Sequence, residues 1–176
     1  GASGGVGTFA VQIAKTFGAE VTGVCSASNL DMVRAIGADR VVDHGKEDFT
    51  RGEERYDLIF DLVSNHPFPA LRRVLAPGGM VLAGGGPGFD GVGAGRWAAR
   101  LLGGLLASRF TSGRLVILAA RIQGEDLATL AGMMETGKVT PVIESCYSLY
   151  ETAAAIRKVA HGHARGKVVV AVGGER

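Results

Sequence analysis

Residues Gly1-Ala2-Ser3-Gly4-Gly5-Val6-Gly7 run without a break into a segment whose apolar residues, Phe9, Ala10, Ile13, Ala14 and Phe17, recur at helical spacing. This loop-to-helix junction constrains the chain more than any other feature. Glycine at position 4 lets the backbone come close to a phosphate, and glycine at position 7 lets the helix pack tightly on a sheet. The helix start offers unpaired N–H groups and the positive end of its dipole to the same anion. In G-x-G-x-x-G register the first glycine is Ala2, so the match is A-x-G-x-x-G. Such a motif is nonspecific alone, so the rest of the chain has to carry the reading.

Downstream, short β-branched runs alternate with helical stretches. Gly18 stops the first helix. Val21, Val24 and Cys25 mark a strand, and a helix carrying Met32, Val33 and Ile36 follows and ends at Gly37. Arg40–Asp43 and Asp57–Val63 read as strands, Pro67–Leu75 as a helix, and Pro77-Gly78-Gly79 as a turn into the strand Met80–Ala83. Gly84–Gly95 is too glycine-rich to be regular. Trp97–Ala107 reads as a helix, Leu115–Ala119 as a strand and Glu125–Thr136 as a helix. This order predicts an α/β fold with a parallel sheet covered by helices on both faces. After Pro141 the pattern changes to two strands, Val142–Leu149 and Lys167–Val172, around the helix Tyr150–Ala160, which predicts a second structural unit.

In a dinucleotide site the residue that meets the adenosine ribose lies about 20 positions into the motif. Here that is Cys25 or Ser26, in the run Cys25-Ser26-Ala27-Ser28-Asn29, and no acid occurs until Asp31. A carboxylate would accept the ribose hydroxyls and repel a 2′-phosphate, whereas hydroxyls and an amide can donate to one. The run favours NADPH, with NADH as the second choice. Ser28 and Asn29 also suit a helix cap, and the two roles can coexist.

Other features narrow the function classes. The net charge of +2 over 176 residues gives no field for nucleic acid or an acidic membrane, and no apolar run reaches the length of a membrane span. Cys25 and Cys146, both in apolar runs, are expected to be buried thiols. His161 and His163 lack a third metal ligand nearby. Arg96, Arg100 and Arg109 read as a solvated helix face, Asp57 as a solvated strand end, and Asp61 as an acceptor for backbone N–H groups. A methyltransferase, which also uses a glycine loop, would want an acid at the end of the second strand. No residue stands out as a catalytic proton donor.

GASGGVGTFAVQIAKTFGAEVTGVCS, IGADRVVDH followed by EDF, YDLIFDLV and HGHARGKVVV together resemble one family along the whole chain. It is the medium-chain dehydrogenase/reductase superfamily, in its zinc-independent, zeta-crystallin-like quinone oxidoreductase branch. The resemblance implies a Rossmann-type doubly wound parallel sheet over residues 1–141, with its first strand lying before Gly1, and a segment 142–176 that returns to a GroES-like catalytic domain. It implies the cofactor-binding part of an NADPH-dependent oxidoreductase acting on a small quinone, enone or carbonyl substrate, cytoplasmic and without zinc. The alternative is a noncatalytic NADPH-binding module or an inactive truncated remnant. By the same resemblance Gly4, Gly5, Val6 and Gly7 hold the pyrophosphate, Ser26 and Asn29 the 2′-phosphate, with the Ser28 hydroxyl beside them in the same run, and His44 stands where relatives place a tyrosine reaching that phosphate, or is a solvated turn residue. Leu62, Val63, Gly84, Gly85, Leu118 and Ala119 fall at the nicotinamide end, the apolar ones equally suiting plain core packing; Lys167 either approaches from the returning segment or is a solvated lysine at a strand start, and the strand Leu115–Ala119 pairs with its copy in a homodimer.

Overall fold

The computed structural model describes residues 1–84, 95, 98–99, 102–104, 114–119, 123–162 and 164–173. In chain order the elements are α1 (Gly7–Thr16), β1 (Thr22–Cys25), α2 (Leu30–Ala35), β2 (Arg40–Asp43), β3 (Tyr56–Asp61), α3 (Phe68–Arg73), β4 (Leu75–Ala83), β5 (Arg114–Ile117), α4 (Gly124–Glu135), β6 (Ile143–Ser148), α5 (Thr152–Ala160) and β7 (Lys167–Ala171). Short 3-10 turns at Ala27–Asn29, Phe49–Arg51 and Leu149–Glu151 precede α2, β3 and α5. Among the described residues every strand pair is parallel, as the alternation predicts, and the pairs form three sheets: β1-β2, β3-β4-β5 and β6-β7.

The chain divides into two compact units, residues 1–47 with 122–176, and residues 48–121. In the first unit α2 packs on β1 through a glycine. Val33 is fully buried, and a methyl group on Gly23 would lie 2.5 Å from its Cγ1. Ala2, Val11, Cys25 and Ala38 complete this core. The helix stops read from sequence are real: Gly18 and Gly37 take φ of +75° and +108°, which glycine adopts without steric penalty. The tail after Pro141 belongs to this same unit. Gln12, buried on α1, donates through Nε2 to the Thr140 carbonyl at 2.9 Å and accepts the Thr140 N–H on Oε1 at 2.8 Å. The Gly166 N–H donates to the Ser3 carbonyl at 2.8 Å, which stitches the start of β7 to the glycine loop.

In the second unit, Ile59 and Val81 from the sheet pack against Phe68, Leu71 and Val74 from α3 and the turn after it. The predicted turn at Pro77–Gly79 lies inside one continuous strand. β4 begins at Leu75 and absorbs the turn as a register irregularity opposite Tyr56–Leu58, with Gly78 at φ +82°.

The expected burial of both thiols fails for one of them. Cys25 is buried, but Cys146 is exposed. Among the described residues β6 has β7 beside it and α5 over it, so an apolar run there does not guarantee a covered side chain. The predicted helix at 97–107 is helical where it is described. Gly85, Arg96, Arg100, Arg109 and His163 lie outside the described residues.

Candidate functional site

The parallel pairing puts β1 and β2 in register so that Cys25 stands opposite Asp43, and Ser26 and His44 follow directly at that shared carboxyl edge. In the second unit Asp61, Ala83 and Ile117 align across β3, β4 and β5, and Leu62, Gly84 and Leu118 come next. The candidate residues that follow strands therefore sit just past carboxyl ends, where α/β sheets bind ligands. The two groups belong to different compact units.

The glycine loop is shaped from both sides. Buried Thr8 bonds the Gly4 carbonyl through its backbone N–H at 3.0 Å and its hydroxyl at 3.1 Å, turning that carbonyl into the helix. Val6 occupies the cap position of α1, where no side chain caps the helix and no acid lies in the first turn. A helix start left in this state accepts an anion. A methyl group on Gly4 would meet nothing closer than the Gly1 carbonyl at 3.6 Å, so the protein leaves that side of the loop open. On the other side, a methyl group on Gly5 would lie 3.2 Å from the Gly166 carbonyl oxygen and 3.3 Å from Lys167 Nζ. The Lys167 ammonium also sits 5.5 Å from the centre of the Phe9 ring, within cation–π range, and no carboxylate among the described residues pairs with it.

At the end of β1 Asn29 occupies the cap position of α2 without a side-chain cap bond. Neither Ser26 nor Asn29 makes a side-chain cap bond to the turn or helix that follows. Ser26 and Ser28 instead face each other with hydroxyl oxygens 3.3 Å apart, both at least partly exposed. Asn29 is buried at 7% exposure. Its amide nitrogen donates to the hydroxyls of Ser26 at 3.0 Å and Ser3 at 3.2 Å. Both amide protons are thus engaged within the protein. The Ser3 hydroxyl, inside the glycine loop, is a partner that the sequence reading does not include.

The neighbouring carboxylates are occupied. Asp43 accepts the Gly45 N–H at 3.0 Å, and Asp31 bonds Arg34 at 2.9 Å on the surface of α2. His44 is exposed, with its backbone N–H on the Cys25 carbonyl at 3.1 Å. Burial pushes the Cys25 thiol above its ordinary range, so it packs as a small apolar group.

In the second unit Asp61 accepts the N–H groups of Val63 at 3.1 Å and Ser64 at 2.8 Å, as the sequence reading expects. These bonds fold Leu62 and Val63 into a turn past β3, with Ser64 at a left-handed φ of 62°. The Gly84 N–H closes onto the Asp61 carbonyl at 2.8 Å, and Leu118 and Ala119 are exposed beyond β5. Among the described residues no group of three or more His, Cys, Asp or Glu is placed to hold a metal ion, and no helix is long and apolar enough to cross a membrane.

Comparison with known proteins agrees with this geometry. The family model described as zinc-binding dehydrogenase matches residues 36–170. A chloroplastic quinone oxidoreductase of Triphysaria versicolor is 34% identical over 96% of the chain. A mitochondrial NAD(P)H oxidoreductase of Danio rerio is 34% identical over 98%. The chain spans about half the length of these curated relatives, 50% and 48%. The quinone oxidoreductase structure from Coxiella burnetii superposes with a TM-score of 0.78 at 26% identity, over 98% of this chain and 51% of its own.

Proposed function

Since the chain belongs to the zinc-binding dehydrogenase family, we propose that it is the cofactor-binding part of an NADPH-dependent oxidoreductase that passes hydride to a small quinone, enone or carbonyl substrate. The observation that carries this reading is the Lys167 ammonium at Gly5, beside an uncapped helix start. A cation that no carboxylate among the described residues pairs with, resting on the Phe9 ring, and helix-start N–H groups around a glycine turn suit a pyrophosphate. Gly4, Gly5, Val6, Gly7 and Lys167 would hold that pyrophosphate, and Ser26 and Ser28, with His44 near them, the 2′-phosphate. Leu62, Val63, Gly84, Gly85, Leu118 and Ala119 would line the nicotinamide end. The bound nicotinamide would supply the hydride. The chain's own residues would orient the cofactor, and the proposal assigns no role to zinc. Residues 142–176 would join a GroES-like catalytic domain.

The test is a parallel calorimetric titration of the chain with NADPH and NADH. NADPH should bind more tightly. Equal or tighter NADH binding would overturn the choice of cofactor, and binding of neither would overturn the reading itself. Lys167→Met should weaken both cofactors by roughly tenfold or more, the usual worth of a hydrogen bond to a charged group, and leave their ratio unchanged, because the pyrophosphate is common to both. A change confined to NADPH would move Lys167 to the 2′-phosphate instead.

We also propose a homodimer through the strand Leu115–Ala119, which includes β5, an outer strand of its sheet among the described residues, with Ile117 and the adjoining Leu118 43% and 44% exposed. Unpaired edges of this kind invite strand pairing, and pairing with its own copy across a twofold axis would close them. Light scattering that gives the mass of a monomer would remove this proposal.

A further inference from the structure

Asn29 joins two parts of the candidate site that lie far apart in sequence. One amide hydrogen goes to Ser3 in the glycine loop and the other to Ser26 at the end of β1. The amide oxygen, Oδ1, is buried and has no partner among the described residues. Turned over, the amide would satisfy its oxygen with the two hydroxyls and leave a buried NH2 group unpaired. An orphaned buried N–H is rarer than an under-used carbonyl, so the orientation with nitrogen toward the serines is preferred. It has a chemical consequence. Each serine hydroxyl has one proton to give. A hydroxyl that accepts from Asn29 keeps its own proton to donate outward, which for Ser26 holds when Ser28, 3.3 Å away, is the donor of that hydroxyl pair, whereas one that donated into the amide would present only lone pairs to an anion.

We propose that Asn29 is a positioning residue that sets Ser3 as a proton donor to the pyrophosphate and Ser26 as a proton donor to the adenosine 2′-phosphate, and so selects the phosphorylated cofactor. This rests on the nucleotide reading above. Asn29 touches neither phosphate and acts through the two hydroxyls. Its effect on cofactor choice therefore runs through Ser26, because NADPH and NADH share the pyrophosphate that Ser3 would meet.

The experiment is a mutant cycle on the full chain, read as NADPH and NADH dissociation constants. Ser26→Ala, at a partly exposed site with no capping duty, should weaken NADPH by roughly tenfold or more and NADH by less than about threefold, from the worth of a hydrogen bond to a charged group. Asn29→Ala should shift the NADPH-to-NADH ratio in the same direction. In the Ser26→Ala background it should shift that ratio no further, because the residue it acts through is gone. A Ser26→Ala variant with an unchanged ratio overturns the proposal even where Asn29→Ala does not fold. So does an Asn29→Ala variant that weakens both cofactors equally, or one whose effect on the ratio persists undiminished without Ser26. An unsubstituted chain that binds neither cofactor overturns the nucleotide reading and this proposal together. One that binds NADPH more tightly, with variants that leave the ratio unchanged, overturns this proposal alone.

Discussion

Gly7→Ala is expected to abolish dinucleotide binding and to lower the melting temperature of the chain by roughly 6–12 °C, the shift for a loss of about 3 kcal/mol in a chain of this size. The added methyl group would press on the Gly1 carbonyl oxygen and come within 2.8 Å of Ala2 Cα. Both are backbone atoms, and neither can rotate aside. They are also pinned, because the Gly1 and Ala2 nitrogens each donate to the Val24 carbonyl at 3.0 Å. Either the loop leaves β1 or α1 leaves the loop, and each movement dismantles the anion cradle. Gly4→Ala is the matched control. Its methyl group meets the protein only at ordinary contact distance, so the fold should hold while a bound phosphate would be displaced. Thermal unfolding followed by circular dichroism, paired with NADPH titration, separates the two variants. A Gly7→Ala chain as stable as its parent would show that the close packing at this position carries no weight.

Local geometry was legible in the sequence because it depends on neighbours. Helical spacing from Phe9 to Phe17 gave α1, and Gly18 and Gly37 marked helix ends through a conformation that costs other residues energy. The alternation of strand and helix gave parallel pairing, and parallel pairing put Ser26, His44, Leu62, Gly84 and Leu118 just past strand ends. What escaped was long-range polar contact. Asn29 reaches back 26 residues to Ser3, and Gln12 bonds Thr140 across 128 positions. Periodicity reports which face of an element is covered and carries no information about which amide finds which hydroxyl. For that reason the sequence offers Asn29 as a phosphate donor or a cap and does not show the two serines its amide serves. Cys146 shows the matching limit for burial. An apolar run predicts a covered strand only where enough neighbours exist to cover it.

The tail after Pro141 read as a separate unit from its pattern alone, yet its most exacting contact is with the glycine loop. Gly166→Ala tests that contact, and its cost should be about 2–5 kcal/mol, the sum of a left-handed backbone forced on alanine and of overpacking. Gly166 has φ +70°, and a methyl group there would collide with the Val142 carbonyl oxygen and stand 2.8 Å from Val142 Cβ. Val142 has no room to retreat, since its carbonyl accepts the Lys167 N–H at 2.7 Å while the Gly166 N–H holds Ser3. Relief of the clash must therefore open the seam between β7 and the loop and draw the Lys167 ammonium away from Gly5. Affinity for NADPH and NADH should fall together, as in Lys167→Met, and Lys167→Met should add little in the Gly166→Ala background, because the ammonium has already left. Calorimetric titration of the two single variants and the double variant reads this directly. If Lys167→Met retained its whole effect without Gly166, the ammonium would reach the phosphates independently of the seam, and the tail would be packed against the loop without helping to hold the cofactor.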